Sequence, residues 1–125
     1  MENYAPFVGN EKNIVKDNMK SMLKQSKIEL RRYYMYKDVA YLQQACEKLF
    51  NAVELYLSYI SGYRIYAHKA GYQVVKEKTL HDLFDDANQL HMFFYQATNL
   101  MPEKRIIIIY NRVYMKTYRR IGIIK

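Results

Sequence analysis

Leu42, Ala45, Leu49, Val53, Tyr56, Leu57 and Ile60 step by three or four residues along one stretch of the chain. That spacing gathers them on one side of a helix and predicts a helix over Val39–Ser61. Cys46 and Phe50 widen the apolar stripe, so this helix has to be covered on more than one side. Asp38 stands before it as a cap, and Gly62 stands after it as a C-terminal stop. The whole chain of 125 residues contains four Gly and two Pro. That leaves little material for the many turns of an all-β fold. The expected fold class is all-α, with long helices joined by few loops in a single domain over residues 1–125.

Three further helices follow from the same periodicity. Residues 1–9 read as a flexible tail, and Asn10 then serves as N-cap with Glu11 in the first turn. Helix 1 should run to about Lys37 on Val15, Met19, Met22, Leu23, Leu30 and Tyr33, with Ser26 filling one step. Tyr63–Lys78 has no dominant pattern and forms a short variable connection. Thr79 and Asp82 have the spacing of a capping box. Helix 3 follows from about Leu80 to Asn99, with Leu80, Leu83, Ala87, Leu90, Phe94 and Ala97 on one face and His91 at its margin. A turn ending at Pro102 leads to helix 4, Glu103 to about Arg120. Ile106, Tyr110, Val113, Thr117 and Ile121 keep helical steps there despite the β-branched run Ile106–Ile109.

Two strings resemble a known family. Asp38-Val39-Ala40-Tyr41-Leu42-Gln43-Gln44-Ala45-Cys46-Glu47-Lys48-Leu49-Phe50-Asn51-Ala52 is similar to the second-helix pattern of the archaeal PaREP-type branch of the HEPN superfamily. Ala45, Glu47, Lys48 and Ala52 match in spacing. Leu90-His91-Met92-Phe93-Phe94-Tyr95 resembles the closing part of the same pattern through Leu90, His91, Phe94 and Tyr95. The resemblance spans about Glu29–Ile121. It implies a HEPN-like four-helix up-and-down bundle and a homodimer. It also implies binding of RNA, nucleotide or a protein partner without catalysis. The alternatives it carries are a divergent HEPN-type ribonuclease and the partner subunit of a minimal nucleotidyltransferase, in the manner of a toxin–antitoxin pair.

HEPN ribonucleases carry an arginine and a histidine with four to six residues between them. Here Arg64 and His68 are separated by three residues, and neither Arg105 nor Arg112 has a histidine downstream. The ribonuclease activity is therefore not carried over, and no catalytic residue is assigned. His81 and His91 would lie about 15 Å apart along one helix, too far to share a metal. Neither a metal nor another cofactor is expected. His91 is read as a histidine satisfied within the bundle. Glu47 and Lys48 are adjacent, point about 100° apart and need not pair with each other.

Charge supplies the functional expectation. The formal net charge is +8, and from Glu103 to Lys125 there are seven cations and one anion. Arg105, Arg112, Lys116, Arg119 and Arg120 are the expected nucleic-acid contacts, on a side of helix 4 away from the core. Lys12, Lys16, Lys20, Lys24, Lys27 and Arg31 form a second cationic row on helix 1. It is read first as lysine stems covering the core margin and second as a phosphate ridge. Tyr33, Tyr34 and Tyr36 are read as core or interface residues before base-stacking ones. The lone Cys46 allows no internal disulfide and fits a reducing compartment as a small core residue. The longest apolar run, Ile106–Tyr110, is far short of the roughly 20 residues a bilayer span needs. With no signal-like start, the expectation is a cytoplasmic protein.

Overall fold

The computed structural model describes residues 4–61, 63–65, 77–96 and 101–124. Four helices carry it: α1 (Glu11–Tyr36), α2 (Val39–Ser61), α3 (Lys78–Gln96) and α4 (Glu103–Ile123). Two strands of three residues each, β1 (Tyr4–Pro6) and β2 (Tyr63–Ile65), pair antiparallel with Ala5 opposite Arg64. Part of the expected tail is thus a paired strand, and part of the expected connection is its partner. Backbone pairing satisfies N–H and C=O groups that a free tail would leave to water. The rest of that connection, residues 66–76, lies outside the described residues, as does Gly62.

Contacts between side chains fix the order of the helices. The Tyr36 and Tyr41 rings meet at 5.6 Å at one end of the α1–α2 pair, and the Lys12 ammonium lies 5.0 Å from the Tyr59 ring at the other. Between α2 and α3, Phe50 packs beside Phe84 and Glu47 lies beside His91. Asp86 meets Arg112 and Glu77 meets Arg120 between α3 and α4. Tyr33 bonds Glu103 and Ser26 bonds Tyr110 between α1 and α4. In every pair one residue number rises as the other falls. Successive helices are therefore antiparallel, and the topology is up-down-up-down. The α1–α2 face is the most extensive, α2 touches all three other helices, and the α1–α4 face is thin.

The helix ends differ in part from expectation. Asn10 sits at the N-cap of α1, but its side chain makes no cap hydrogen bond. The Glu11 carboxylate reaches back instead and accepts from the Val8 N–H at 2.8 Å. Gly9, at φ 54°, supplies the left-handed residue of that turn. Lys37 closes α1 at φ 56°, its N–H donating to the Tyr33 carbonyl at 2.7 Å. Its ammonium lies 5.4 Å from the Tyr34 ring, which helps a non-glycine residue hold that conformation. Asp38 caps α2 as expected, accepting from the Ala40 N–H at 2.9 Å. The expected Thr79–Asp82 capping box does not form. The helix starts earlier, because the Leu80 and His81 N–H groups both donate to the Glu77 carbonyl at 3.1 Å. The Thr79 hydroxyl then donates to the Glu77 carboxylate at 2.7 Å. At the far end of α3, the expected positions Ala97 and Asn99 lie outside the described residues. The last helix continues to Ile123, past the expected Arg120, with Ile121 buried in its final turn.

The core follows the apolar stepping closely. On α2, Leu42, Ala45, Cys46, Leu49, Phe50, Ala52, Val53, Tyr56 and Leu57 are buried. Ile60 is 38% exposed, because its level coincides with the first turn of α1, where the bundle ends. Ile106, Tyr110, Val113, Thr117 and Ile121 are all buried on α4. Leu80, Leu83, Ala87 and Leu90 are buried on α3. At the next level Phe93 is buried and Phe94 is half-buried at the margin. Cys46 is fully enclosed, and burial pushes its thiol up to about 12, so it stays protonated and inert.

One polar link crosses the core. The Tyr110 hydroxyl donates to Ser26 Oγ at 3.0 Å, and the Ser26 hydroxyl donates to the Leu23 carbonyl at 2.7 Å. Removing the serine hydroxyl strands a buried phenol, whereas removing the phenol leaves the serine bonded. Ser26→Ala is thus expected to cost about 1–3 kcal/mol and Tyr110→Phe about 0.5–1.5 kcal/mol. Urea unfolding of both variants checks the order, and a larger loss for Tyr110→Phe would contradict it.

Candidate functional site

Where α1 and α4 face each other thinly, a groove of about 750 Å³ opens between them. From α1 it is lined by Lys20, Leu23, Lys24, Lys27, Ile28 and Arg31. From α4 come Tyr114, Tyr118, Arg119, Ile121, Gly122 and Ile123. The floor is apolar and aromatic, and among the described residues the lining holds five cations and no acid. Sequence spacing explains the rim. Lys20, Lys24, Lys27 and Arg31 step by four, three and four, so α1 presents them in one row beside its buried stripe. Of the helix 1 row, Lys12 turns the other way and covers Tyr59 on α2. Lys20, Lys24, Lys27 and Arg31 face the groove, more than the covering role expected of them.

The aromatic part of the groove is a ladder on α4. Tyr110, Tyr114 and Tyr118 follow at four-residue intervals, with ring centroids 6.0 and 6.3 Å apart and planes within 17° of parallel. The Lys27 ammonium sits 4.8 Å from the centre of the Tyr114 ring. Burial raises the Tyr114 hydroxyl pKa, with Tyr118 adding to the rise and Arg31 opposing it. The phenol stays neutral at physiological pH and adds no negative charge to the groove. A surface of this kind offers cations for phosphates or carboxylates and flat rings for a planar or apolar body.

The structure divides the cations expected on helix 4. Arg119 lines the groove, and its Nε donates to the Met115 carbonyl at 3.3 Å. Arg112 instead turns toward α3 and grips Asp86 through two nitrogens, at 3.0 Å each. Arg120 lies 3.6 Å from Glu77. Arg105 is exposed and Lys116 half-buried. All five stay outside the core, but two of them are balanced by acids, Asp86 on α3 and Glu77 just before it. The four-and-three spacing of Arg112, Lys116 and Arg119 shows that they share a side. It does not show that a neighbouring helix supplies a carboxylate to one of them. The groove itself was hidden from sequence reading, because its two walls are about 90 residues apart in the chain.

The positions that carry the family resemblance lie elsewhere, on α2 and α3. Ala45, Ala52 and Leu90 are fully buried packing residues. His91 is buried as expected, its ring stacked on Phe50 at 4.1 Å and 11°. His91 Nε2 lies 3.5 Å from Glu47 Oε2. Phe94 is half-buried, and the side chain of Tyr95 lies outside the described residues. Lys48 diverges from Glu47, as expected, and lies 3.4 Å from Glu29. Sequence reading missed Glu29, a nearly buried carboxylate that also accepts from Arg32 at 2.6 Å. Its signal was its position among the apolar steps of α1, between Ser26 and Leu30. Among the described residues, no group of three or more potential metal ligands gathers. No described helix is long and apolar enough to cross a membrane.

No protein-family model, curated protein or solved structure matches this chain.

Glu47 makes the α2–α3 contact sensitive to pH. Desolvation, and then the charge of Glu54, raise its carboxyl above the ordinary value of 4.5. Because the folded value exceeds the unfolded one, the bound proton stabilises the fold. That contribution is complete below the unfolded value and is lost as pH rises through the raised one. Glu47→Gln should therefore melt a few degrees above the parent at pH 8. The difference should narrow as acid protonates Glu47. Thermal melts at both ends of the range measure it, and a variant less stable than the parent at pH 8 would contradict the assignment.

Proposed function

We propose that this chain is a non-catalytic, HEPN-like helical protein that binds single-stranded RNA along the α1–α4 groove. The observation that carries the reading is a rim of five cations, with no acid among the described residues of the lining, around a tyrosine-bearing apolar floor. Like charges brought together on one groove disfavour the empty state and are relieved by a polyanion. The length of the row favours a polymer over a lone nucleotide. From Lys20 to Arg31 the helix advances about 16 Å, at 1.5 Å per residue. Half-exposed tyrosines suit unpaired bases better than a duplex, whose bases are stacked away. On this reading Arg119 acts in the groove, while Arg105, Arg112, Lys116 and Arg120 lie on the adjoining surface and contribute less.

A salt titration of fluorescent-RNA anisotropy tests the groove. Replacing Lys24, Lys27 and Arg31 together by Gln should flatten the slope of log affinity against log salt by about two units. This follows from about 0.7 per lost single-strand phosphate contact. The triple replacement Arg105→Gln, Arg112→Gln and Lys116→Gln should change it less, since Arg112 already holds Asp86. Equal slopes for the parent and the groove variant would remove the groove from the proposal.

The homodimer belongs to the same reading. Ile108 and Met115 stand one heptad apart on the solvent side of α4, exposed by 63% and 49%. Tyr34, Met35 and Tyr36 add an exposed apolar end to α1. Surfaces of this kind are commonly covered by a second copy. Sedimentation equilibrium at micromolar concentration should show a species near twice 15.1 kDa. A monomer alone would refute the dimer and leave the groove untouched.

A further inference from the structure

Resting on the RNA reading of the groove, we infer that Tyr118 is a base-stacking platform that makes the site selective for single strands. The ring sits at the outer end of the α4 ladder and is 58% exposed. Inward, it lies near-parallel to Tyr114 at 6.3 Å, and Tyr114 lies near-parallel to Tyr110 at 6.0 Å. Tyr110 is fully buried and tied to Ser26, so the ladder is rooted in the core. A ring held in this way loses little freedom when a base settles on it, which leaves more of the stacking energy as affinity.

The other exposed tyrosines among the described residues are placed differently. Tyr36 leans on Tyr41 at 5.6 Å. Lys37 lies over Tyr34, 5.4 Å from its ring centre. Neither lines the groove. Tyr118 combines an exposed ring with cations on both walls. Lys20, Lys24, Lys27 and Arg31 stand opposite it, and Arg119 stands beside it. That arrangement holds a strand by its phosphates while one base turns inward onto the ring. Every base has a stackable face, so the preference is for unpaired bases rather than for a sequence. An acidic amphipathic helix would answer the same charges but would gain nothing particular from a flat ring.

Three probes separate the contributions: a short fluorescent single-stranded RNA, a strand of the same length and charge carrying abasic sites throughout, and the duplex of the first strand, which carries about twice the phosphates. The parent should bind the single strand most tightly. Tyr118→Leu keeps an apolar side chain without a ring, and it should weaken single-strand binding about tenfold. Binding of the duplex and the abasic strand should be unchanged. Tyr118→Phe should retain the parental preference. Because the residue is exposed, both variants should melt with the parent, and circular dichroism verifies this. Loss of affinity in equal measure on the abasic strand, or no loss on RNA, overturns the stacking role while the phosphate-binding groove stands. If the parent binds none of the three probes, or prefers an acidic amphipathic peptide to RNA, the groove reading falls and the stacking role falls with it.

Discussion

Everything in this bundle is arranged around the burial of α2. Its apolar residues run well beyond one stripe, so no single neighbour can cover them. Leu42, Leu49, Val53 and Leu57 supply the main ridge, and Ala45, Cys46 and Ala52 keep the surface low where another helix comes close. Burying side chains of this size stabilises a fold by about 1.5–3 kcal/mol each for the larger ones. The other helices are therefore placed by what α2 requires. The most extensive face is with α1. It follows directly from a two-residue link, in which Lys37 takes the left-handed conformation and Asp38 caps the next helix.

That priority has a consequence on the opposite side. α4 reaches α2 as well as both flanking helices, and the face it shares with α1 is left thin. Two polar links hold it, Tyr33 to Glu103 at one end and Tyr110 to Ser26 in the middle. The hydrogen bond to Glu103, aided by burial, pushes the Tyr33 phenol up to about 12, so the link persists across the physiological range. Beyond Ser26 the walls carry Lys20 and Lys24 against Arg119, and like charges oppose closer approach. The groove is thus the end of a helix pair whose closure is opposed by its own rim.

Carboxylates near the core mark the margins between helices. Glu29 is nearly buried but accepts from Arg32 and lies near Lys48, so its charge is balanced. Glu47 faces His91 with one buried oxygen that has no hydrogen-bond partner among the described residues, and its carboxyl is pushed toward the protonated form. The adjacent residues Glu47 and Lys48 therefore serve different interfaces. Asp86 and Glu77 hold Arg112 and Arg120 on the α3–α4 side, which concentrates the remaining cations toward α1.

The sequence by itself determined the helices and most of the core. Leu42 through Leu57, Leu80 through Leu90 and Ile106 through Ile121 are buried where three-and-four stepping placed them. Such periodicity is a local property of the backbone, and it survives any choice of neighbours. Helix ends were less legible where capping passed to residues other than the usual ones, as with Glu11, Lys37 and Glu77. The pairing of Tyr4–Pro6 with Tyr63–Ile65 joins segments about 60 residues apart and leaves no periodic trace in either. The candidate site was legible only as two separate cationic rows. Which arginine would be neutralised by Asp86, and which would join Lys24 and Lys27 around Tyr118, depended on how far apart α1 and α4 settle. Only the tertiary structure decided that, because the spacing between helices is set by the packing of all four around α2 and not by any one segment.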